Sequence, residues 1–183
     1  MTKTILTIGA SKQFLKWLNR AIKERLDDYE IIDFSEGIDE DIQETINNCI
    51  CAIHLQNYEN SIEREMSGSI ANYVGGLFRA SRLAPILIHV SLRGEREDIT
   101  APRINRRIKE TFNETFYDVS LDTDSKYYSY ILYDYYDDED DVNSDLDYEA
   151  FGEELASLIC GEVERPSLVN NEFVIHDRDD LDD

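Results

Sequence analysis

A chain of 183 residues, 42% of them apolar, is long enough to build one domain with a core of its own, which excludes global disorder. Its formal charge of −22 excludes general affinity for nucleic acid or anionic membranes and points instead to a basic partner surface. The charge is unevenly spread: residues 1–117 hold 18 acids and 15 bases, whereas residues 118–183 hold 22 acids against only Lys126, Arg165 and Arg178.

The first ninety residues alternate β-rich runs with helical patterns. Thr4–Ile8 reads as a strand ending at Gly9. Ser11 is placed to cap a helix in which Phe14, Leu15, Leu18, Ile22 and Leu26 recur at three- and four-residue spacing. Tyr29–Phe34 reads as a second strand. Ile38, Ile42, Ile46 and Cys49 then mark an amphipathic helix whose acids suit the positive end of its dipole. Ile50–Leu55 is apolar almost throughout, as a strand buried on both faces should be. A polar loop over Gln56–Ser61 leads into a long helix with Ile62, Met66, Ile70, Tyr73, Val74, Leu77 and Phe78 on its inner side. Gly68, Gly75 and Gly76 weaken that helix and imply close packing or a bend.

Pro85–Val90 is the fourth strand, Pro102 suits the first turn of a helix carrying Ile104, Ile108 and Phe112, and Thr115–Leu121 is the candidate fifth strand. Strand–helix alternation with short connections predicts an α/β fold, a flavodoxin-like parallel five-stranded sheet with helices on both faces. Its ligand edge would lie after Ile8, Phe34, Leu55 and Val90. Tyr127–Tyr136 fits strand or helix equally. Asp147–Cys160 reads as a helix with Tyr148, Phe151, Leu155, Leu158 and Ile159 on one face, stopped by Gly161, and Phe173–Ile175 as a short strand. The composition shift sets an α/β domain at 1–121 and an acidic extension at 122–183 whose helix spans 147–160.

The apolar runs are too short to span a bilayer, and the N-terminal residues lack a signal-peptide pattern. Cys49, Cys51 and Cys160 fit neither zinc nor Cys-x-x-Cys spacing, so they read as reduced thiols of a cytoplasmic protein. His54 and His89 fall in two central strands as potential neighbours, without companions at metal-ligand spacing; no metal site is expected. Glu63 and Glu65 lie in the first turn of the third helix, beside the ligand edge. A carboxylate there can hydrogen-bond a ribose or stabilise an oxocarbenium-like transition state. The helix dipole also favours acids at that position without any further role. Gly9-Ala-Ser11 is a small-residue loop through which a nucleotide can approach, and Ser61 opens the third helix across from it.

Taken in order, these features resemble the Toll/interleukin-1 receptor (TIR) family over roughly residues 3–92, above all the divergent TIR-like domains of bacterial defence proteins. The resemblance rests on strand, amphipathic helix, strand, acidic helix ending near a cysteine, then Cys51-Ala-Ile-His-Leu, Ser61-Ile-Glu-Arg-Glu-Met and Pro85-Ile-Leu. It implies a flavodoxin-like fold, a role in bacterial or phage conflict, and cleavage of NAD, as substrate, by a glutamate of the third helix or sensing of a related nucleotide. Glu65, followed by Met66, carries that role in the resemblance, with Glu63 in reserve and Gly9, Ser11 and Ser61 shaping the nucleotide pocket with the loops at 9–12, 35–38 and 56–61. Ile62 and Arg64 stand where the family has an aromatic-and-cysteine pair. Nucleoside deoxyribosyltransferase-like proteins share the same layout. No cofactor is implied.

A second resemblance joins Asp147-Tyr-Glu-Ala-Phe-Gly-Glu-Glu-Leu155 to the DNA-mimicking antirestriction proteins, which offer carboxylates to a DNA-binding cleft. It implies a non-catalytic acidic inhibitor or adaptor, with Asp137, Asp138, Glu139, Asp140, Asp141, Glu149 and Glu153 meeting a basic protein or a nucleic-acid-binding protein. Arg93, Arg96, Arg103, Arg106, Arg107 and Lys109 form the basic cluster; a phosphate or nucleic-acid site is its functional reading, but a solvated face, and after it a dock for the acidic tail within one chain or in a homo-oligomer, is preferred.

Overall fold

The computed structural model describes residues 1–34, 41–57, 60–92, 114–132, 148–163 and 172–175. Strands β1 (Lys3–Ile8), β2 (Tyr29–Asp33), β3 (Cys49–Asn57), β4 (Ile86–Leu92) and β5 (Tyr127–Leu132) are parallel, and a short antiparallel strand, β6 (Glu172–Ile175), closes the far edge. The order β2-β1-β3-β4-β5-β6 makes the first five strands a flavodoxin-like sheet. Such an order reverses direction between β1 and β3, so the crevice of an open α/β sheet falls beside their carboxyl ends.

Helices cover both faces because strand residues alternate between two apolar sets. On one face Ile5, Cys51, Ile53, Val90 and Tyr130 meet α1 (Lys12–Lys23) and α5 (Tyr148–Ile159). On the other, Leu6, Ile8, Ala52 and Leu87 meet α2 (Ile42–Asn47), α3 (Ser61–Ser81) and α4 (Glu114–Thr123). The expected helix start at Ile38, the helix over 102–112, the basic cluster at 93–109 and the acids at 137–141 lie outside the described residues.

The expected fifth strand at Thr115–Leu121 is instead the body of α4. Its β-branched and aromatic residues suggest extended chain, but Phe116, Val119 and Ser120 are all buried, and they share an inner side only at helical spacing. Gly75 makes room for this packing: a Cβ there would lie 2.9 Å from Val119 Cγ2. Asn72 accepts a hydrogen bond from Thr115 at 3.0 Å, and Arg79 pairs with Asp122 at 2.8 Å, fastening α4 along α3.

The true fifth strand comes from the tyrosine run. Tyr128, Tyr130 and Leu132 face α1 and α5, whereas Tyr127 packs under α4 against Tyr117. The boundary expected at 121/122 falls within the last turn of α4, ahead of β5 of this one sheet. Helix α5 is equally part of the fold. Phe151, Leu155 and Ala156 are fully buried, and Phe151 meets Tyr130 edge to face at 5.2 Å and Phe14 at 6.0 Å. Each large side chain so buried stabilises by about 2 kcal/mol. Gly152 lets α5 cross α1 closely, since a Cβ there would sit 3.2 Å from the Trp17 backbone. Gly161, at φ +73, ends the helix as its sequence position suggests.

Candidate ligand site at the carboxyl edge of the sheet

Strand β3 runs past the expected end at Leu55, because Gln56 and Asn57 pair with Ser91 and Leu92 of β4. The polar residues thought to open a loop are therefore the last rungs of a ladder and are held rigidly at the carboxyl edge. Asn60 caps α3, its side-chain oxygen accepting from the backbone N–H of Ile62 (3.1 Å) and Glu63 (3.2 Å). That cap sets the angle at which the first turn of α3 meets the sheet.

Glu63 and Glu65 are both exposed, but the helix separates them. Two residues turn the helix by ~200°. Glu63 lies one turn before buried Ser67, and Asn57 Nδ2 donates to its Oε2 at 3.4 Å, which leaves the carboxylate at the end of β3. Glu65, the expected lead, points away from the sheet with Ile62 and Met66, which are 70% and 51% exposed. The glutamate–apolar pairing in the sequence says nothing of helix phase. The burial of Ser67, Ala71, Val74 and Phe78 at helical spacing sets it.

Gly9, Ser11 and Ser61 do not converge on an open cradle. Gly9 has φ +79, and a Cβ there would stand 2.4 Å from the Leu55 carbonyl oxygen and 3.5 Å from Ser67 Cβ. The β1–α1 turn is thus pressed onto β3 and the first turns of α3, which is why a residue without a side chain is required. Ser11 Oγ accepts from the Phe14 amide at 3.2 Å and so caps α1. Ser61 is exposed at the start of α3.

Beneath this edge lies a buried polar ladder. His54 and His89 pair in register, their rings 5.4 Å apart and both fully buried. Ser67 Oγ donates to the Arg64 carbonyl, so His54 Nε2–H donates to Ser67 Oγ at 3.2 Å. His89 Nε2–H donates to Gln56 Oε1 at 3.0 Å, and its Nδ1 accepts from the Ser129 hydroxyl at 3.4 Å. Burial pushes the His54 pKa down to about 3. It holds His89 well below the usual histidine range, with His54 adding a smaller effect in the same direction. Both rings are neutral, and the network is one of uncharged hydrogen bonds. Among the described residues no group of three or more His, Cys, Asp or Glu could hold a metal ion.

Of the acids expected to meet a partner, Glu149 is exposed, but Glu153 is engaged internally. Arg25, which follows α1, reaches Glu153 at 2.6 Å and Glu162 at 3.2 Å, and donates to the Ala21 carbonyl at 2.8 Å. Among the described residues, the base that meets the acidic helix is thus Arg25; the cluster expected to dock the acidic tail, at 93–109, lies outside them. On α1 itself Lys12, Lys16, Arg20 and Lys23 recur at helical spacing with no acid among them, and all four are exposed. Among the described residues no helix is long and apolar enough to cross a membrane. No protein-family model and no curated protein matches this chain.

Proposed function

We propose that the protein is a TIR-like domain of bacterial or phage conflict that holds a ribose-bearing nucleotide, NAD first among them, at the carboxyl edge of β1 and β3. Glu63 is its leading carboxylate. The observation that carries this reading is the Asn57–Glu63 hydrogen bond, which fixes a carboxylate at the end of a central strand in a flavodoxin-like sheet. A carboxylate so placed accepts hydrogen bonds from a ribose diol, and in N-glycosidic cleavage it stabilises the positive charge that develops on the sugar. This makes Glu63 the lead in place of Glu65. Incubation of purified protein with NAD, followed by detection of released nicotinamide, is the test. Glu63→Gln should lower turnover at least ~100-fold, the scale of losing a charge-stabilising group, and Glu65→Gln should leave it nearly unchanged. Absence of both nicotinamide release and NAD binding would refute the proposal.

A second reading, an acidic inhibitor or adaptor that enters a basic cleft, is supported by the 22 acids of residues 118–183. Truncation near residue 136 cannot test it, because that would strip α5 from the core. Neutralising Asp137–Asp141 to Asn and Gln keeps α5 in the chain. Partner binding that is steeply salt-dependent and lost in that variant favours the adaptor; binding indifferent to both rules it out.

A further inference from the structure

The two faces of β3 and β4 differ near the carboxyl edge in a way that packing does not require. Toward α1 and α5 the side chains are Leu55, Val90 and Leu92. Toward α3 and α4, at the neighbouring positions, they are His54, Gln56, His89 and Ser91. Alternation puts Ser91 on the same face as His89, and register sets it beside Gln56, about 4.8 Å away strand to strand. Ser91 is fully buried, and among the described residues its hydroxyl has no hydrogen-bond partner. A buried hydroxyl left unsatisfied lowers stability, and alanine would fit the position without that penalty.

We infer that Ser91 and Gln56 form the floor of the ligand site and hydrogen-bond an uncharged donor–acceptor group of the ligand, a carboxamide or the edge of a nucleobase. The inference rests on the nucleotide-site reading above and adds to it the part of the ligand that enters deepest. Charge decides the chemical class. Among the described residues the floor consists of a hydroxyl, a carboxamide and neutral imidazoles, with no cation for a phosphate. Glu63 stands nearby at the rim, where it repels an anion and accepts from hydroxyls. A serine hydroxyl both donates and accepts, as a carboxamide or base edge demands. Gln56 is oriented by His89, which fixes its oxygen toward the core.

The test compares wild type with Ser91→Ala and Ser91→Cys, measuring unfolding temperature without ligand and affinity for NAD, nicotinamide and adenosine by calorimetry. Ser91→Ala should melt ~3 °C higher, as expected when an unsatisfied buried hydroxyl is removed from a domain of this size. The same variant should bind the nucleobase- or carboxamide-bearing probes about tenfold more weakly. Ser91→Cys, nearly the same shape with a weaker hydrogen bond, should share the loss of affinity. A fall in the melting temperature of Ser91→Ala would overturn the inference, since the hydroxyl would then be satisfied within the free protein. Wild-type affinity in both variants would overturn it while leaving the nucleotide site standing. If the wild type binds none of the probes, the nucleotide-site reading falls and this inference falls with it.

Discussion

The buried pair His54 and His89 should make the protein acid-labile well above the range in which carboxylates titrate. Both imidazoles are neutral when folded, with His54 protonating only near pH 3, whereas an unfolded histidine protonates near pH 6.5. The unfolded chain therefore takes up protons that the folded chain refuses, so stability falls as pH falls. The contribution is intact above pH 6.5 and is lost progressively below it. At pH 5, 1.5 units below the unfolded value, each histidine removes about 2 kcal/mol, and the pair about 4 kcal/mol. That is a large share of the roughly 5–15 kcal/mol that holds a domain together. Ser67, Phe116, Gln56 and Ser129, which meet the rings, are all uncharged. Urea unfolding at half-unit steps from pH 7.5 to 5.0 measures the slope, and the single variants His54→Gln and His89→Gln should each remove about half of it. A wild-type slope no steeper than that of the double variant would refute the reasoning, whatever the absolute stabilities.

Three further outcomes follow from named contacts. Gly9→Ala meets both a left-handed backbone and a carbonyl oxygen at 2.4 Å, so it should lose about 3 kcal/mol or more in denaturant unfolding. Arg25→Ala removes two partly exposed ion pairs that fasten α5 to α1; it should lose about 1 kcal/mol in thermal melts, and less at high salt. A thiol reagent at neutral pH should reach Cys160 slowly and leave Cys49 and Cys51 untouched until unfolding, because burial pushes the Cys49 pKa up to about 12 and raises Cys51 well above the ordinary range. Mass spectrometry of the labelled peptides settles the order.

The sheet was legible where patterns are strong. The β1, β3 and β4 runs are apolar on both faces, and the caps at Ser11 and Gly161 act as their residue types predict. Thr115–Leu121 misled because residue preference there favours strand, while tertiary contacts with Gly75 and the sheet select helix. The tyrosine run stayed ambiguous because its residue types suit both structures, and only its place beside β4 decides between them. The pairing of His54 with His89 was legible as a guess about adjacent strands, but their hydrogen-bond partners Ser67, Gln56 and Ser129 are far apart in sequence. The choice between Glu63 and Glu65 depended on helix phase at a terminus, where a dipeptide match carries no rotational information.

The position of α5 has a consequence for how the chain acquires its structure during synthesis. Ile5, Phe14, Leu18 and Ile53 wait on one face of the sheet for Phe151 and Leu155, more than ninety residues downstream of the nearest of them. A ribosome-bound chain that has released only the first 120 residues holds an uncovered greasy surface and lacks the strand beside β4. Native assembly of this sheet must therefore await translation of α5, with slow, long-range docking as a late step. During that interval the unfinished sheet is a natural client for a chaperone, and an arrest near residue 120 should yield an aggregation-prone fragment rather than a working domain.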